Sequence, residues 1–229
     1  MGHPFVKLHV EERELTIFFL FDTSASGNFG TVNRMKSELA VELCAILAFS
    51  AIRNNDKVGL ITFTDTVEKY IPPKKGKNHV LRVIRELLYF RPQGVGTNIQ
   101  AALEYLNAML KRKAVVFLVS DFIASDYEQA LRVTSRKHDV IPMTITDPRE
   151  LELPNVGLVE LEDTETGERI LLDTFDSDVR KAYRALALQE QAEREKLFRS
   201  MKLDVINIRT DQPYLQTLIS FFRKRASRY

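Results

Sequence analysis

Cysteine is nearly absent from this chain: Cys44, in an apolar helical run, is the only one among 229 residues. A single thiol cannot form an internal disulfide, so the fold has to be held by burial, in agreement with a reducing compartment. No apolar run approaches the ~20 residues that span a bilayer, and the start of the sequence has no signal-peptide core. The expectation is a cytoplasmic protein without a membrane span. An excess of either charge is missing too. With 33 basic and 31 acidic residues, the formal charge of +2 gives no electrostatic case for nucleic acid. The basic end "FFRKRASRY" reads as a solvated helix terminus with cations at its negative pole. Internal repeats and low-complexity segments are absent. So are a G-x-S-x-G elbow and a G-x-x-x-x-G-K-[ST] phosphate loop. The four histidines (His3, His9, His79, His138) form no constellation, and His79 and His138 are expected at the surface.

What is present is an ordinary globular composition, 45% hydrophobic and 28% charged, enough to bury a sizeable core. Strand-length apolar runs recur at 15–21 (LTIFFLF), 58–63, 67–71, 114–120, 139–145 and 204–208. Most are nearly continuous in Val, Ile, Leu and Phe, as in strands covered on both faces. "VEKYI" (67–71) is short, partly polar and close to its predecessor, which predicts an antiparallel edge strand. Between the runs lie helical patterns. One is the segment from Met35 to about Arg53; others are the stripes Val80/Val83/Ile84/Leu87, Ile99/Leu103/Leu106/Leu110 and Leu215/Leu218/Ile219/Phe222. Strands alternating with helices predict one doubly wound α/β domain over 1–229, with a mostly parallel sheet of about six strands and helices on both faces. Residues 150–203 depart from the alternation. "GLVELEDTETGERILLDT" predicts a β-hairpin around a Thr-Gly turn, followed by a charged helix from about 177 to 203, together an insertion beside the sheet.

Ligands of such sheets bind beyond the carboxyl ends of the strands, where strand order reverses. The first apolar run ends in Asp22-Thr23-Ser24-Ala25-Ser26, the fourth in Ser120-Asp121, the fifth in Thr146-Asp147-Pro148. A further polar loop, "RPQGVGTN" (91–98), precedes a helix that Thr97 or Asn98 is placed to cap. Asp22 and Asp121 supply two negative charges. Ser24 and Ser26, two apart, can turn both hydroxyls to one point, and Thr97 arrives from a separate loop. An oxygen-only donor set of this kind suits a hard dication in six-fold coordination, Mg²⁺ or Mn²⁺, over zinc or copper. Taken singly, each residue also reads as a turn or cap. Three more residues are candidates for partner contact. Phe29 lies in the loop after the first turn and either tucks into the core or offers an aromatic anchor. Asn98 stands beside Thr97. Asp147, with Glu150 close by, lies on the same sheet edge and alternatively starts an Asp-Pro turn.

D-x-S-x-S after the first strand, Gly-Thr before a helix and Asp after the fourth strand resemble the von Willebrand factor A domain. The resemblance implies a metal-ion-dependent adhesion site on Asp22, Ser24, Ser26, Thr97 and Asp121. "PFVKLHVEERELT", "AFSAIRNNDKVGLITFTD", "YIPPKKGKNHVLRVI", "LVSDF" and "DTETGE" resemble the bacterial family domain of unknown function 58. Members usually carry further sequence before the "FVK" segment, so this chain looks like their C-terminal part. The same resemblance implies a MoxR-type AAA+ ATPase as partner. Function is therefore expected to be metal-dependent protein–protein interaction through a partner's Asp or Glu, not catalysis. Two alternatives stand beside it. A haloacid-dehalogenase-like phosphatase would use Asp22 as nucleophile, but Ser24 stands where a second acid is wanted, and its lysine is not evident. The other is a metal-independent structural domain of the same fold.

Overall fold

A computed structural model describes residues 14–30, 35–162 and 167–227. The chain runs β1 (Thr16–Asp22), a 3₁₀ turn (Ala25–Asn28), α1 (Lys36–Arg53), β2 (Lys57–Phe63) and β3 (Val67–Lys74). It continues α2 (Lys77–Tyr89), α3 (Ile99–Met109), β4 (Val115–Val119), α4 (Glu128–Lys137), β5 (Asp139–Thr146) and α5 (Pro148–Leu151). It closes with β6 (Leu158–Glu162), β7 (Arg169–Asp173), α6 (Ser177–Ser200), β8 (Ile206–Arg209) and α7 (Tyr214–Ala226). Six strands form one sheet in the order β3-β2-β1-β4-β5-β8, parallel except for β3.

The continuous apolar runs are explained by the two-residue period of a strand. In β1, Phe19 and Phe21 point into the cluster formed with α1, α2 and Leu218 of α7. Phe18 and Leu20 point to the opposite cluster, with α3, Leu131 of α4 and Phe198 of α6. All four β1 side chains are at most 4% exposed, so an alternating polar position would have left a polar group without water. Phe18 lies opposite Gly59 of β2, where a Cβ would clash with its ring, so the aromatic strand and the small residue require each other.

β6 and β7 pair as a separate antiparallel hairpin, with Glu160 opposite Leu171. The Thr166-Gly167 turn expected between them falls partly outside the described residues, as do the "DTETGE" and N-terminal "PFVKLHVEERELT" segments for most or all of their length. α6 follows the hairpin and is polar for most of its length, yet its last turn buries Phe198 against Phe122 with ring centroids 5.0 Å apart. Two readings of the sequence need correction. α4 has no predicted counterpart, because only Ala130, Leu131 and Thr134 of its ten residues are buried, too thin a stripe to stand out. His138 is 3% exposed, not superficial, and its ring nitrogens lack hydrogen-bond partners among the described residues. His79 is half-buried, with Nε2 2.8 Å from the Val58 carbonyl. Among the described residues no helix is long and apolar enough to cross a membrane.

Candidate metal site at the switch point

Strand order reverses between β1 and β4, and the loops leaving these two strands diverge there. Asp22 ends β1. Its Oδ1 accepts the Ser24 backbone N–H at 2.9 Å, and its Oδ2 accepts the Ser120 hydroxyl at 2.6 Å. The first bond folds the chain back after the strand and carries it into the Ala25–Asn28 turn. Ser24 is 3% exposed, and its Oγ lies 3.0 Å from Ser26 Oγ, so the two hydroxyls converge as the spacing of two predicts.

Asp121 arrives from β4. The next residue, Phe122, has φ +61°, a left-handed conformation that a bulky side chain adopts at a cost. Burial of its ring against Tyr127 and Phe198 holds it there, and its N–H donates to Ser120 Oγ at 3.0 Å. Asp22, Ser24, Ser120 and Asp121 line one small cavity of about 30 Å³, together with Gly27, Lys36 and Ser37. Burial is the main reason that the Asp22 carboxyl is pushed up to about 6; Ser120 and Ser24 oppose the shift, and the neighbouring Asp121 charge reinforces it. Asp22, Asp121 and Ser24 thus line one cavity with Ser120, while Ser26 lies outside its lining and reaches it only through the Ser24 hydroxyl.

Thr97 lies in the loop before α3, outside the lining of that cavity. Its loop is nevertheless fastened beside the site. The Val95 carbonyl accepts the Ala25 N–H at 3.0 Å, Asn98 N–H donates to Thr64, and the Glu68 carboxylate collects the Gln93 and Gly94 N–H groups. A Cβ at Gly94 would run into Thr64 and Asp65, which lets only glycine sit so near that loop.

Partner-contact candidates fare differently. Asn98 caps α3, its Oδ1 accepting the Ala101 N–H at 2.9 Å. Asp147 is corrected: at 0% exposure it faces no partner. It caps α5, its Oδ1 accepting the Arg149 N–H and its Oδ2 the Thr210 hydroxyl, each at 2.9 Å. Phe29 is half-buried and ties the turn to α1 through its carbonyl, which accepts the Lys36 N–H at 3.0 Å.

Two participants, Lys36 and the helix α6, escaped the sequence reading, and Glu150 is engaged beside the cavity, not on a partner surface. Lys36 opens α1 and is only 4% exposed; its ammonium donates to Asp121 Oδ2 at 3.3 Å and to Glu150 Oε1 at 2.6 Å. Burial alone would discharge it, but Asp121 and Glu150 outweigh burial and hold its pKa above the usual lysine value. Glu150 is itself anchored, since its Oε2 accepts the Asp147 N–H at 2.9 Å in the capping box of α5. The second, α6, reaches over both loops: Arg194 Nη1 donates to the Asp121 carbonyl at 2.8 Å and Tyr183 Oη to the Arg149 carbonyl at 3.2 Å. A lysine after a polar loop and a charged helix carry no distinctive spacing, so only the acids they meet reveal them.

Among the described residues no group of three or more His, Cys, Asp or Glu is placed to hold a metal. The donor set at the switch point is instead two carboxylates with serine hydroxyls, chemistry that fits a hard dication. Among solved structures, conserved hypothetical protein BatB from Bacteroides thetaiotaomicron is similar, with TM-score 0.58 and 16% identity over 93% of this chain and 99% of that one. An aerotolerance-related membrane protein from Bacteroides fragilis has TM-score 0.57 and 18% identity, covering 93% and 97%. At such identities the likeness concerns the fold, which is von Willebrand A-like. Among curated proteins, uncharacterized protein Rv1480 of Mycobacterium tuberculosis is 27% identical over 97% of this chain and 71% of its own length. Uncharacterized protein MAV169 of Mycobacterium avium is 25% identical over 68% of this chain and 93% of its own. A family model matches residues 1–193, and the chain belongs to that family, described as protein of unknown function DUF58.

Proposed function

We propose that this chain is a divalent-cation-dependent protein–protein interaction module. The observation that supports it most is that Asp22, Ser24 and Asp121, from adjacent strand ends at the switch point, line one cavity, with the Ser26 hydroxyl 3.0 Å from that of Ser24. Asp22, Ser24, Ser26, Thr97 and Asp121 are the residues that would hold Mg²⁺ or Mn²⁺, and the cation would supply a positive acceptor for an Asp or Glu of another protein. The chain's own part is to position oxygens. Ser120 and the Ser24 N–H fix the Asp22 carboxylate, and the Phe122 backbone and Arg194 hold the Asp121 loop. By the family resemblance the partner is a MoxR-type AAA+ ATPase.

Thermal melts in chelator and in saturating Mg²⁺ or Mn²⁺ test the cation. A ligand of the folded state at a hundred times its Kd stabilises it by about 2.7 kcal/mol. Wild type should gain stability with metal and Asp22→Ala should gain none. An unchanged wild-type melt would overturn the metal-dependent reading and favour a structural domain. Capture of a MoxR-type ATPase from the native cell, in metal and in chelator, tests the partner.

Lys36 lends one observation to a second reading, since a haloacid-dehalogenase-type phosphatase uses a lysine beside its nucleophilic Asp. Against it, Ser24 replaces the second acid, and the Lys36 ammonium is held by Asp121 and Glu150. Turnover of a generic phosphate ester, lost in Asp22→Ala, would establish it; a flat trace with metal present would end it.

A further inference from the structure

Lysine is seldom buried, and Lys36 is buried against the very cavity at which Asp22, Ser24 and Asp121 converge. Its two contacts are unequal. The Glu150 carboxylate is 2.6 Å away and fixed by its second oxygen to the Asp147 N–H, whereas Asp121 Oδ2 is 3.3 Å away. Asp121 is also needed by the donor set at the switch point, and its side chain is only 7% exposed, so water does little to screen one cation from another.

We infer that Lys36 is a tethered competitor of the divalent cation: its ammonium occupies Asp121 when the dication is away and withdraws to Glu150 alone when the dication binds. The inference rests on the metal-dependent reading above. Glu150 gives the displaced ammonium a fixed seat, so releasing Asp121 costs the longer of two contacts and never leaves a buried charge unpaired. It also explains why a third acid, Glu150 of α5, stands beside the donor set without belonging to it. With Asp22, Asp121 and Glu150 ionised, Lys36 and one dication together bring the cluster to neutrality. The affinity for metal is thereby set below what the donor set alone would give, and the first turn of α1, with the Phe29 carbonyl bonded to the Lys36 N–H, is linked to occupancy.

Isothermal titration of MgCl₂ and MnCl₂ into the wild-type chain, Lys36→Met, Lys36→Arg and Glu150→Gln tests this, with far-UV circular dichroism to verify folding. Lys36→Met should bind metal about tenfold tighter or more, because a buried neighbouring cation is gone. Glu150→Gln should bind several-fold weaker, because Lys36 is left with Asp121 as its one acid. Lys36→Arg, which keeps the charge, should remain within a few-fold of wild type. If Lys36→Met does not fold, the opposed behaviour of Glu150→Gln and Lys36→Arg carries the test. Equal affinities across the folded variants overturn this inference and leave the metal site standing. Heat of binding absent from every variant and from wild type overturns both.

Discussion

Asp22 and Asp147 begin alike and end differently. Each follows a buried parallel strand on the same edge of the sheet, and each accepts a backbone N–H two residues on, from Ser24 and from Arg149, at 2.9 Å. Asp147 is then used up by its fold. It caps a helix, receives the Thr210 hydroxyl, and has no exposed surface. Asp22 faces a cavity shared with Asp121, and burial, reinforced by the Asp121 charge, favours its neutral form. Each oxygen of both acids already accepts a hydrogen bond, so what separates them is their surroundings. Asp147 is sealed off, whereas Asp22 lines a crevice beside a second acid, the setting in which a ligand would bind.

Replacing both acids should separate the two cases, the largest effect coming from the structural one. Asp147→Ala leaves the Arg149 N–H and the Thr210 hydroxyl short of a buried acceptor, a loss of about 2–4 kcal/mol. Its melting temperature should fall by roughly 5–12 °C, equally in metal and in chelator. A metal-dependent fall would dissolve the contrast.

Asp22→Asn should act in the other direction. The native Asp22 titrates near 6 against an ordinary 3.8, so the folded state keeps a proton that the unfolded state releases over that interval. Stability conferred by the protonated form is complete below about pH 3.8, is lost as pH rises toward 6, and stays lost above it. In chelator at pH 8, Asp22→Asn should therefore be more stable than wild type by up to about 2 kcal/mol, with no advantage at pH 3.5. Urea melts at the two pH values measure the difference. A variant less stable than wild type at pH 8 would mean that the lost Ser120 and Ser24 contacts outweigh burial.

Arg194→Ala removes one charged hydrogen bond from α6 to the Asp121 carbonyl and should cost about 1–2 kcal/mol. Beyond that, it should reduce the metal-induced rise in melting temperature, since it loosens the loop that carries one acid. Ser24→Ala should be the mildest in chelator, within about 1 kcal/mol, because the 2.9 Å bond from the Ser24 backbone N–H to Asp22 survives the substitution. With metal, its melt should lag behind wild type.

Much of this was readable from the residues. The strand runs from 15–21 to 204–208 agree with the main sheet within one or two residues, except that β3 runs three residues further, to Lys74. Strands buried on both faces leave an unbroken apolar record, and the half-exposed edge strand does not. "VEKYI" proved to be the antiparallel edge strand. The D-x-S-x-S turn was equally plain, since hydroxyls at a spacing of two converge through local backbone geometry alone. Of the two readings of Asp147 the Asp-Pro turn holds and partner contact does not, because the bond from Thr210, 63 residues away, leaves no trace in its own neighbourhood.

The sequence by itself determined the apolar strands, their two-faced burial and the polar turn that follows the first of them, all of which depend on neighbours within a few positions. Tertiary structure alone decided which charges meet: Lys36 with Asp121 and Glu150, 85 and 114 residues away, and Arg194 with the Asp121 carbonyl, 73 residues away. Coulomb interactions depend on distance in space and on the water excluded between charges, and neither is encoded in the spacing of residues along the chain.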